Sequence, residues 1–448
     1  MRRIRGCLGN EQGWVLPTML ILAGVMVIAV LSVLEIGATD GSLAKRDNDA
    51  SQALFLAESG IQRGEAWLRA QTSAPSDTMY PFGEAVQHMA GGTYTGKIWP
   101  DTTGVRTTFT VASKGVAGSR WRSLQVDVQP RAFTDYLYYV NRNVGGGWPH
   151  WFYTGEIIDG PMHCNGEFGI MGDPTFVGHV SSGASTFFYY NNGSAFSSSA
   201  PHNAPHDEPV FQDGYTLGAP PMDWVSQSDL NTVAGINDIT LNGNHEVVFG
   251  RDDGSGPMIG YVSYRKNKNW TDVLISSMTN GVIYCNGGVE LSGVLDGRIT
   301  IVSGGQIDIV DDVVYYDSDA NGPTETCDDM LGLIAGTKIN VANNAANRND
   351  CEIHCYAIAV NNQGCLVEDY SSGSPRGTLT LYGGIGQDKW GPVGTGYWNG
   401  SEVIVMTGYE RDFHYDWRFR DALPPGFDLI VFESDGFVRV AWRDVTTY

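Results

Sequence analysis

An uncharged apolar stretch follows a short basic leader at the start of the chain. The leader, residues 1–13, contains three arginines, and residues 14–34 carry no charge before the acid Glu35. About 20 apolar residues at a helical rise of ~1.5 Å cover the ~30 Å hydrocarbon core of a bilayer. Because basic residues stay on the cytoplasmic side, the rest of the chain is predicted to face away from the cytoplasm.

A cleavable secretory signal peptide is the alternative interpretation of this region. The segment ATDGSLA, which begins at Ala38, has the small residues that a cleavage site needs. However, the apolar region of a signal peptide is only about 7–15 residues long. The longer stretch favours a helix that crosses the membrane.

The helical pattern continues beyond the membrane segment. Apolar residues recur at Leu54, Ala57, Ile61 and Leu68, in steps of three, four and seven, which is the spacing of one helix face. A continuous helix over residues 14–69 would be about 84 Å long, half in lipid and half amphipathic.

The remainder of the chain has the pattern of short β-strands. Residues 107–112 and 121–128 alternate apolar and polar side chains, as half-buried strands do. From Gly281 onward, short apolar strands recur every 6–8 residues with glycines between most of them, which favours a β-solenoid over a β-sandwich. The strand centres are Ile283, Leu291, Ile299, Ile307 and Val313.

These patterns predict a mainly β protein with one long N-terminal α-helix, in which a β-solenoid-like head, or alternatively a β-sandwich, is carried on a transmembrane helical stalk. The predicted organisation is a leader at 1–13, a stalk helix at 14–71, a linker at 72–106 and a β-rich extracytoplasmic head at 107–448.

Composition agrees with a turn-rich, acidic head. The chain has 57 glycines and 11% aromatic residues, and its net charge is −22. Because binding to phosphate needs clustered Lys and Arg, this balance argues against a head that binds nucleic acid or anionic lipid.

Cysteines suggest an oxidising compartment. Cys7 lies in the leader, and an even number of six remains, for which disulfides are the default outside the cytosol, with fifteen possible pairings. A zinc site at Cys351, His354, Cys355 and Cys365 is the alternative. The disulfide candidates are Cys164, Cys285, Cys327, Cys351, Cys355 and Cys365.

Two acidic segments are candidate metal sites. The run D-x-D-x-N-G that starts at Asp317 places oxygen ligands at alternate positions, as a calcium loop does, although an acidic turn between strands would also use these residues. A second metal candidate is the loop segment HNAPHDE at 202–208. The predicted calcium ligands are Asp317, Asp319, Asn321, Glu325 and Asp328. No other cofactor is expected.

The N-terminal sequence GWVLPTMLILAGVMVIAVLSVLEIGATDGSLAKRDNDASQALFLAESGIQRGEAWL resembles the start of PilX-type minor pilins of type IV filaments. In that family a prepilin peptidase cleaves after a glycine, here Gly13, so that Trp14 begins the helix that packs in the filament. Residues 53–67 resemble the family's A-x-x-x-A-E-x-G segment. A departure from most major pilins is Thr18, where those proteins carry a glutamate.

The resemblance implies a non-enzymatic structural role in pilus assembly, at the filament tip or in adhesion. The implied partners are other pilins or pseudopilins, the prepilin peptidase and inner-membrane lipid, with no nucleic acid. The implied location is the bacterial inner membrane, crossed once, with the head in the periplasm or on a surface pilus. Most of residues 130–430 also resemble a β-rich domain of unassigned activity that accompanies PilX-type N-termini.

A function of another class remains open. A membrane-tethered β-solenoid that binds or processes carbohydrate would use exposed aromatic rings to stack on sugars and paired carboxylates to cleave them. The candidate rings are Trp148, Trp151, Trp390 and Trp398. The sequence contains no G-x-S-x-G motif, phosphate-binding glycine loop or dinucleotide fingerprint.

Overall fold

The computed structural model describes residues 15–71, 75–83, 85–102, 106–142, 151–167, 169–191, 194–200, 207–361, 364–399, 403–430 and 437–445. One helix, α1 (Val15–Arg69), runs without a break from the apolar stretch into the folded part of the chain. A large β-rich domain follows it. The prediction of a long N-terminal helix carrying a β head is therefore confirmed.

Short strands make up most of the head. The first strands are β1 (Gln87–Met89), β2 (Gly92–Asp101), β3 (Thr108–Ala117), β4 (Arg120–Pro130), β5 (Tyr138–Arg142), β6 (Trp151–Tyr153), β7 (Ile157–Asp159), β8 (Met162–Cys164), β9 (Gly169–Met171), β10 (Thr175–Phe176), β11 (Val180–Ser182), β12 (Phe187–Asn191), β13 (Ser194–Ser198), β14 (Val210–Phe211) and β15 (Tyr215–Leu217), followed by helix α2 (Gln227–Gly235).

After α2 the chain forms β16 (Ile239–Leu241), β17 (His245–Phe249), β18 (Tyr261–Arg265), β19 (Thr271–Leu274), β20 (Val282–Cys285), β21 (Val289–Leu295), β22 (Arg298–Ser303), β23 (Ile307–Tyr315), β24 (Ser318–Asp319), β25 (Gly322–Pro323), β26 (Met330–Ala335), β27 (Ile339–Val341), β28 (Cys351–Ala359), β29 (Cys365–Val367), β30 (Pro375–Lys389), β31 (Gly394–Trp398), β32 (Val403–Tyr415) and β33 (Phe437–Asp444). Short 3₁₀ helices lie at Phe133–Asp135, Ile275–Ser277, Ala346–Arg348, Trp417–Arg420 and Phe427–Leu429.

The second half of α1 packs across an antiparallel sheet with the strand order β1-β2-β3-β4-β33, which we call the platform. The buried helix face includes Ala57, Ile61 and Leu68, as the spacing predicts. Leu54 is 37% exposed, and Ala53 and Leu56 are buried in its place. The sheet side of this core is formed by Tyr94, Ile98, Phe109, Val111, Leu124, Val126 and Val128.

The platform is made from both ends of the head. The segment 72–106, predicted as a linker, contains β1 and β2 of this sheet. The last strand, β33, pairs with β4, so the C-terminal end of the chain returns to the helix. Everything between β4 and β33 is therefore an insertion into the platform, which the alternating pattern of single strands does not reveal.

The inserted part stacks short parallel strands, and we call it the solenoid. One face runs in the order β16, β20, β22, β26, β28, β30, β5, β8, β11 and β15. Apolar side chains on neighbouring strands point into one continuous core. A single row on this face contains Ile283, Ile301, Leu333, Ala357, Ile385, Tyr138, Met162, Val180 and Tyr215.

The order of strands along the solenoid differs from their order in the chain. The chain enters the solenoid at β5, in the middle of the stack, and builds one half toward β15. Residues 218–238, which we call the return segment, then lead to β16 at the other end. The second half builds back until β30 pairs with β5. We call this junction the seam.

Candidate functional site

The first half of α1 presents apolar side chains to its surroundings. Leu16, for example, is 72% exposed, and no residue from Val15 to Asp47 is buried. By length and composition this helix can cross a membrane. Ser32 and Thr39 donate their hydroxyls to the carbonyls of Ile28 and Glu35, so these polar groups are satisfied within the helix.

The predicted cleavage site, between Gly13 and Trp14, lies outside the described residues. The cleavage therefore stays a prediction. Thr18 lies in the first turns of α1 and donates its hydroxyl to the carbonyl of Val15, at 3.0 Å.

An ion pair with a buried carboxylate connects the C-terminal strand to the helix. The Glu65 carboxylate on α1 accepts hydrogen bonds from Nε and Nη2 of Arg439 on β33, at 2.6 and 3.0 Å. The Glu65 side chain is only 4% exposed, and this pairing raises the pKa of the Arg439 guanidinium. A bidentate pair of this kind fixes both position and orientation.

A buried arginine joins the platform to the solenoid. Arg106, between β2 and β3, donates to the Asp135 carboxylate at 2.5 Å. It also donates to the carbonyls of Pro130 and Arg420, on the two segments by which the chain enters and leaves the solenoid. One guanidinium therefore contacts both connections.

The six cysteines expected to pair are thiols in the structure, and all but Cys365 are buried. Burial raises the pKa of Cys164 to about 12 and that of Cys327 to about 11. Cys355 and Cys365 line the same apolar cavity of about 40 Å³ in the solenoid core. Because the structure shows thiols and no bridge among these residues, the disulfides stay a prediction.

The structure separates the residues of the alternative zinc site. Cys351, Cys355 and His354 all lie on β28, where alternate side chains point to opposite faces. Cys355 lines the interior cavity, whereas His354 contacts Glu352 and the ring of Tyr382 on the other face. Strand geometry therefore keeps the imidazole away from the thiols.

The predicted calcium loop uses its acids to hold backbone turns. The Asp319 carboxylate accepts from the amide of Asn321 at 2.7 Å, and the amide of Asp317 donates to the buried Asp329 at 3.0 Å. Glu325 and Asp328 are exposed. Within the described ranges no group of three His, Cys, Asp or Glu side chains is arranged to hold a metal ion. Calcium binding here stays a prediction.

The second metal candidate is covered only in part. His202 and His206 lie outside the described residues. Asp207 is fully buried, and its carboxylate accepts from the amide of Gly172 at 2.7 Å. This aspartate therefore has a structural role in holding the turn after β9.

The two candidate sugar-stacking rings that the structure describes, Trp151 and Trp390, pack against other aromatic side chains. Trp390 packs into the solenoid core against Tyr138 and Phe152. Trp151 stacks on Phe188, with ring centroids 5.5 Å apart. Trp148 and the side chain of Trp398 lie outside the described part of the chain.

A polar groove on the solenoid was missed by the sequence analysis. Strand register places Glu246, Glu290 and Asp308 side by side on β17, β21 and β23. The groove has a volume of about 690 Å³, and Arg265 and Lys266 also line it. Each acid is the second residue of its strand, after a turn rich in Asn and Gly, and this repeat is the signal that could have revealed the row.

Within the row the acids have different partners. Arg265 Nε donates to Glu246 Oε2 at 2.6 Å. Asp308 accepts from the amides of Gln306 and Asn340. Glu290 is exposed to solvent. The groove thus offers both carboxylates and donors to a polar ligand.

Residues 102–185 match the model of a family described as a domain of unknown function, DUF4900. This range covers β3, β4 and the first strands of the solenoid, less than half of the chain. No curated protein matches the chain.

Among solved structures, the chain is similar to the competence-associated pilin ComZ from Thermus thermophilus, with 12% sequence identity and a TM-score of 0.34. The match covers 89% of this chain and 97% of ComZ. Similarity at this level carries no argument about function.

Proposed function

We propose that this protein is a minor pilin, a non-enzymatic structural subunit of a type IV pilus or pseudopilus. The observation that carries the proposal is the division of α1 into two halves. Its first half is apolar and exposed, while its second half is packed across the platform. A helix of this kind has a surface that only lipid or similar helices can cover.

The helix accounts for the two locations of a pilin, which are the membrane before assembly and the filament afterwards. In the inner membrane, residues 15–34 span the hydrocarbon core, with the basic leader in the cytoplasm and the head outside. After the prepilin peptidase has cleaved behind Gly13, the same apolar surface packs against the helices of other pilins in the filament. Association of this kind removes the exposed apolar area from lipid without new charged contacts.

The size of the head favours a minor subunit. The solenoid inserted between β4 and β33 is far larger than the platform that carries it. The net charge of the chain is −22. Dense packing of many such subunits along a filament would bring acidic heads close together, and their like charges would repel. A rare subunit, at the tip or in assembly, avoids that repulsion.

N-terminal sequencing of the protein from cells with and without a prepilin peptidase tests the proposal. We expect a mature N-terminus at Trp14 that requires the peptidase. A Gly13→Asp variant should keep the leader, whereas the matched variant Gly9→Asp should be cleaved like the parent. A mature start near residue 40, or retention of Met1 in the parent, would overturn the pilin assignment.

The groove on the solenoid favours a second candidate, a tethered protein that binds or processes carbohydrate. Neighbouring parallel strands place Glu290 and Asp308 about 5 Å apart at the backbone, so the groove contains the pair of carboxylic acids that glycosidases use. Hydrolysis or binding of a polysaccharide that is lost in Glu290→Gln and Asp308→Asn, but kept in the exposed control Asp311→Asn, would support this candidate. Full retention of that activity in both groove variants would exclude it.

A further inference from the structure

A pocket of about 370 Å³ lies where α1 enters the platform. Both the helix and the sheet contribute to it, and three of its side chains are arginines. It is lined by Arg46, Asp47 and Ala50 of α1, by Ser119, Arg120, Trp121 and Arg122 at the start of β4, and by Asp444 and Val445 after β33. We call it the membrane-side pocket.

The pocket lining carries three arginines and two aspartates, Asp47 and Asp444, and so has a net charge of +1. Among the described residues, Arg46 and Arg120 form no ion pair. Arg122 pairs with Asp444 at 3.5 Å, but both side chains are about half exposed, so this pair is weak. The Lys114 ammonium lies 5.2 Å from the centroid of the Trp121 ring and adds a further cation.

The pocket faces the exposed half of the helix. The turn between β3 and β4 meets α1 at Asp49, because a Cβ on Gly118 would lie 2.5 Å from an oxygen of that carboxylate. On the N-terminal side of Asp49, the described part of the helix has no buried residue. Arg46 follows the end of the apolar stretch, Leu34, by twelve residues, or about 18 Å along the axis.

We propose that the membrane-side pocket binds the phosphate headgroups of anionic lipids in the membrane that holds α1. This inference rests on the proposed function, since it needs α1 in a bilayer. Headgroups extend about 5–8 Å beyond the hydrocarbon, which leaves about 10 Å between them and the Arg46 backbone. That gap is close to one Debye length at physiological salt, and arginine side chains shorten it.

The side chains match such a ligand. Guanidinium groups bind phosphate oxygens through paired hydrogen bonds, and an exposed tryptophan is typical of the headgroup level. Trp121 is 46% exposed beside the arginines. The negative net charge of the whole chain argues against anionic partners. The arginines of the membrane-side pocket, however, lie at the end of the head from which the proposed membrane segment of α1 extends. Headgroup binding would hold the head against the membrane before the subunit leaves it.

Energy transfer from the head to the lipid surface tests the proposal. The full-length Ala90→Cys protein, labelled at an exposed position beside α1 and outside the pocket, is placed in phosphatidylcholine nanodiscs with increasing phosphatidylglycerol and a headgroup-labelled acceptor. We expect transfer to rise with phosphatidylglycerol and to fall at high salt. In a triple variant, Arg46→Gln, Arg120→Gln and Arg122→Gln, half-maximal transfer should need at least about fivefold more phosphatidylglycerol, because each lost cation weakens surface attraction by about that factor.

A matched control removes the same charge elsewhere on the head. Lys268→Gln, Lys338→Gln and Arg348→Gln also lower the net charge by three, far from α1 in the chain, and should titrate like the parent. Transfer that ignores phosphatidylglycerol in discs that retain the protein would overturn headgroup binding alone. Failure of the chain to remain in discs would overturn the membrane role of α1. Transfer that appears only with several copies per disc would mean a contact between proteins and would also overturn the proposal.

Discussion

Ion pairs with a buried carboxylate lie where distant parts of this chain meet. Glu65 and Arg439 join the helix to the last strand, and Glu156 and Arg411 join the two halves of the solenoid near the seam. Burying a charge is costly unless it is paired, so each pair holds its elements in one arrangement. Breaking one pair should therefore affect the elements that this pair joins.

Removing the arginine of the platform pair should destabilise the platform. In Arg439→Gln the buried Glu65 carboxylate keeps only Arg69, whose guanidinium is 3.8 Å away. We expect the free energy of unfolding to fall by about 2 kcal/mol, the cost of losing a hydrogen-bonded partner of a buried charge. The matched variant Arg122→Gln, which removes an exposed pair in the same sheet, should change it by less than about 1 kcal/mol. Denaturant unfolding of both variants measures this, and equal effects would contradict the role of the pair.

The seam should respond to pH through Glu156. Burial raises the pKa of this carboxyl from 4.5 to about 7, although Arg411 beside it acts in the opposite direction. The folded protein therefore binds more protons than the unfolded chain between these values, and the stability from this group is lost as pH rises from about 4.5 to 7. Unfolding titrations at several pH values should show this slope, and Glu156→Gln should remove it. An unchanged slope in the variant would refute the assignment.

The predicted calcium loop can be tested by its response to chelator. Asp319 and Asp329 accept hydrogen bonds from the backbone of this loop. If the predicted site binds calcium, the melting temperature of the protein should be higher with calcium than with chelator, and the Asp317→Ala, Asp319→Ala variant should lose this difference. The same melting temperature with calcium and with chelator would contradict the prediction.

At the scale of elements, α1 is one helix with two environments. Its first half contacts no other part of the described chain closely enough to be buried, whereas small residues let its second half approach the sheet. A Cβ on Gly115 of β3 would lie 2.1 Å from the carbonyl oxygen of Ala53. The helix backbone therefore rests directly on the strand, and the missing side chain is what permits this contact.

Adding one methyl group at this contact should separate helix and sheet. We expect Gly115→Ala to lower the free energy of unfolding by about 1–3 kcal/mol, because backbone atoms on both sides must move. The control Gly41→Ala lies on the exposed part of α1, with no atom within 4 Å of the added carbon, and should be neutral or slightly stabilising. Thermal unfolding of the two variants distinguishes them, and a stable Gly115→Ala protein would contradict the packing.

At the scale of the whole molecule, the solenoid is entered and left near its middle. Its two free ends are β15 and β16, which are neighbours in sequence but lie at opposite ends of the stack. Tyr139 on β5 donates its hydroxyl to the carbonyls of Met222 and Asp223, which holds the return segment against the seam. The stack is thus supported at its centre by the platform connections and by the segment that spans it.

Amide hydrogen exchange should follow the order of the stack. Because each strand of a solenoid is stabilised by its neighbours, terminal strands open first. We expect the slowest exchange in β28, β30 and β5, which are adjacent in space although β5 is far away in sequence. Exchange should be faster in β15 and β16. Protection that differs strongly between β5 and β30 would contradict the pairing at the seam.

Much of this architecture could be predicted from local patterns. The apolar run and the spacing of Ala57, Ile61 and Leu68 predicted one long helix, because a helix face repeats every 3.6 residues. The glycine-separated apolar strands from Gly281 predicted stacked parallel strands. The platform could not be predicted, because β33 pairs with β4 across some 300 residues, and no local pattern records which distant strand a strand pairs with.

The candidate sites also differ in whether local sequence patterns could predict them. Cysteine counts and the D-x-D-x-N-G run indicated chemistry by spacing along the chain, but the zinc alternative failed because His354 and Cys355 point to opposite faces of β28. The row of Glu246, Glu290 and Asp308 and the arginines of the membrane-side pocket were missed, since strand register and helix packing bring them together.

The sequence by itself determined the long helix, its apolar first half and the strand-rich head, because these depend on the periodicity of neighbouring residues. Tertiary structure decided the insertion of the solenoid into the platform, the seam between its halves and the clustering of arginines in the membrane-side pocket. Those features depend on contacts between residues hundreds of positions apart, which only the folded chain specifies.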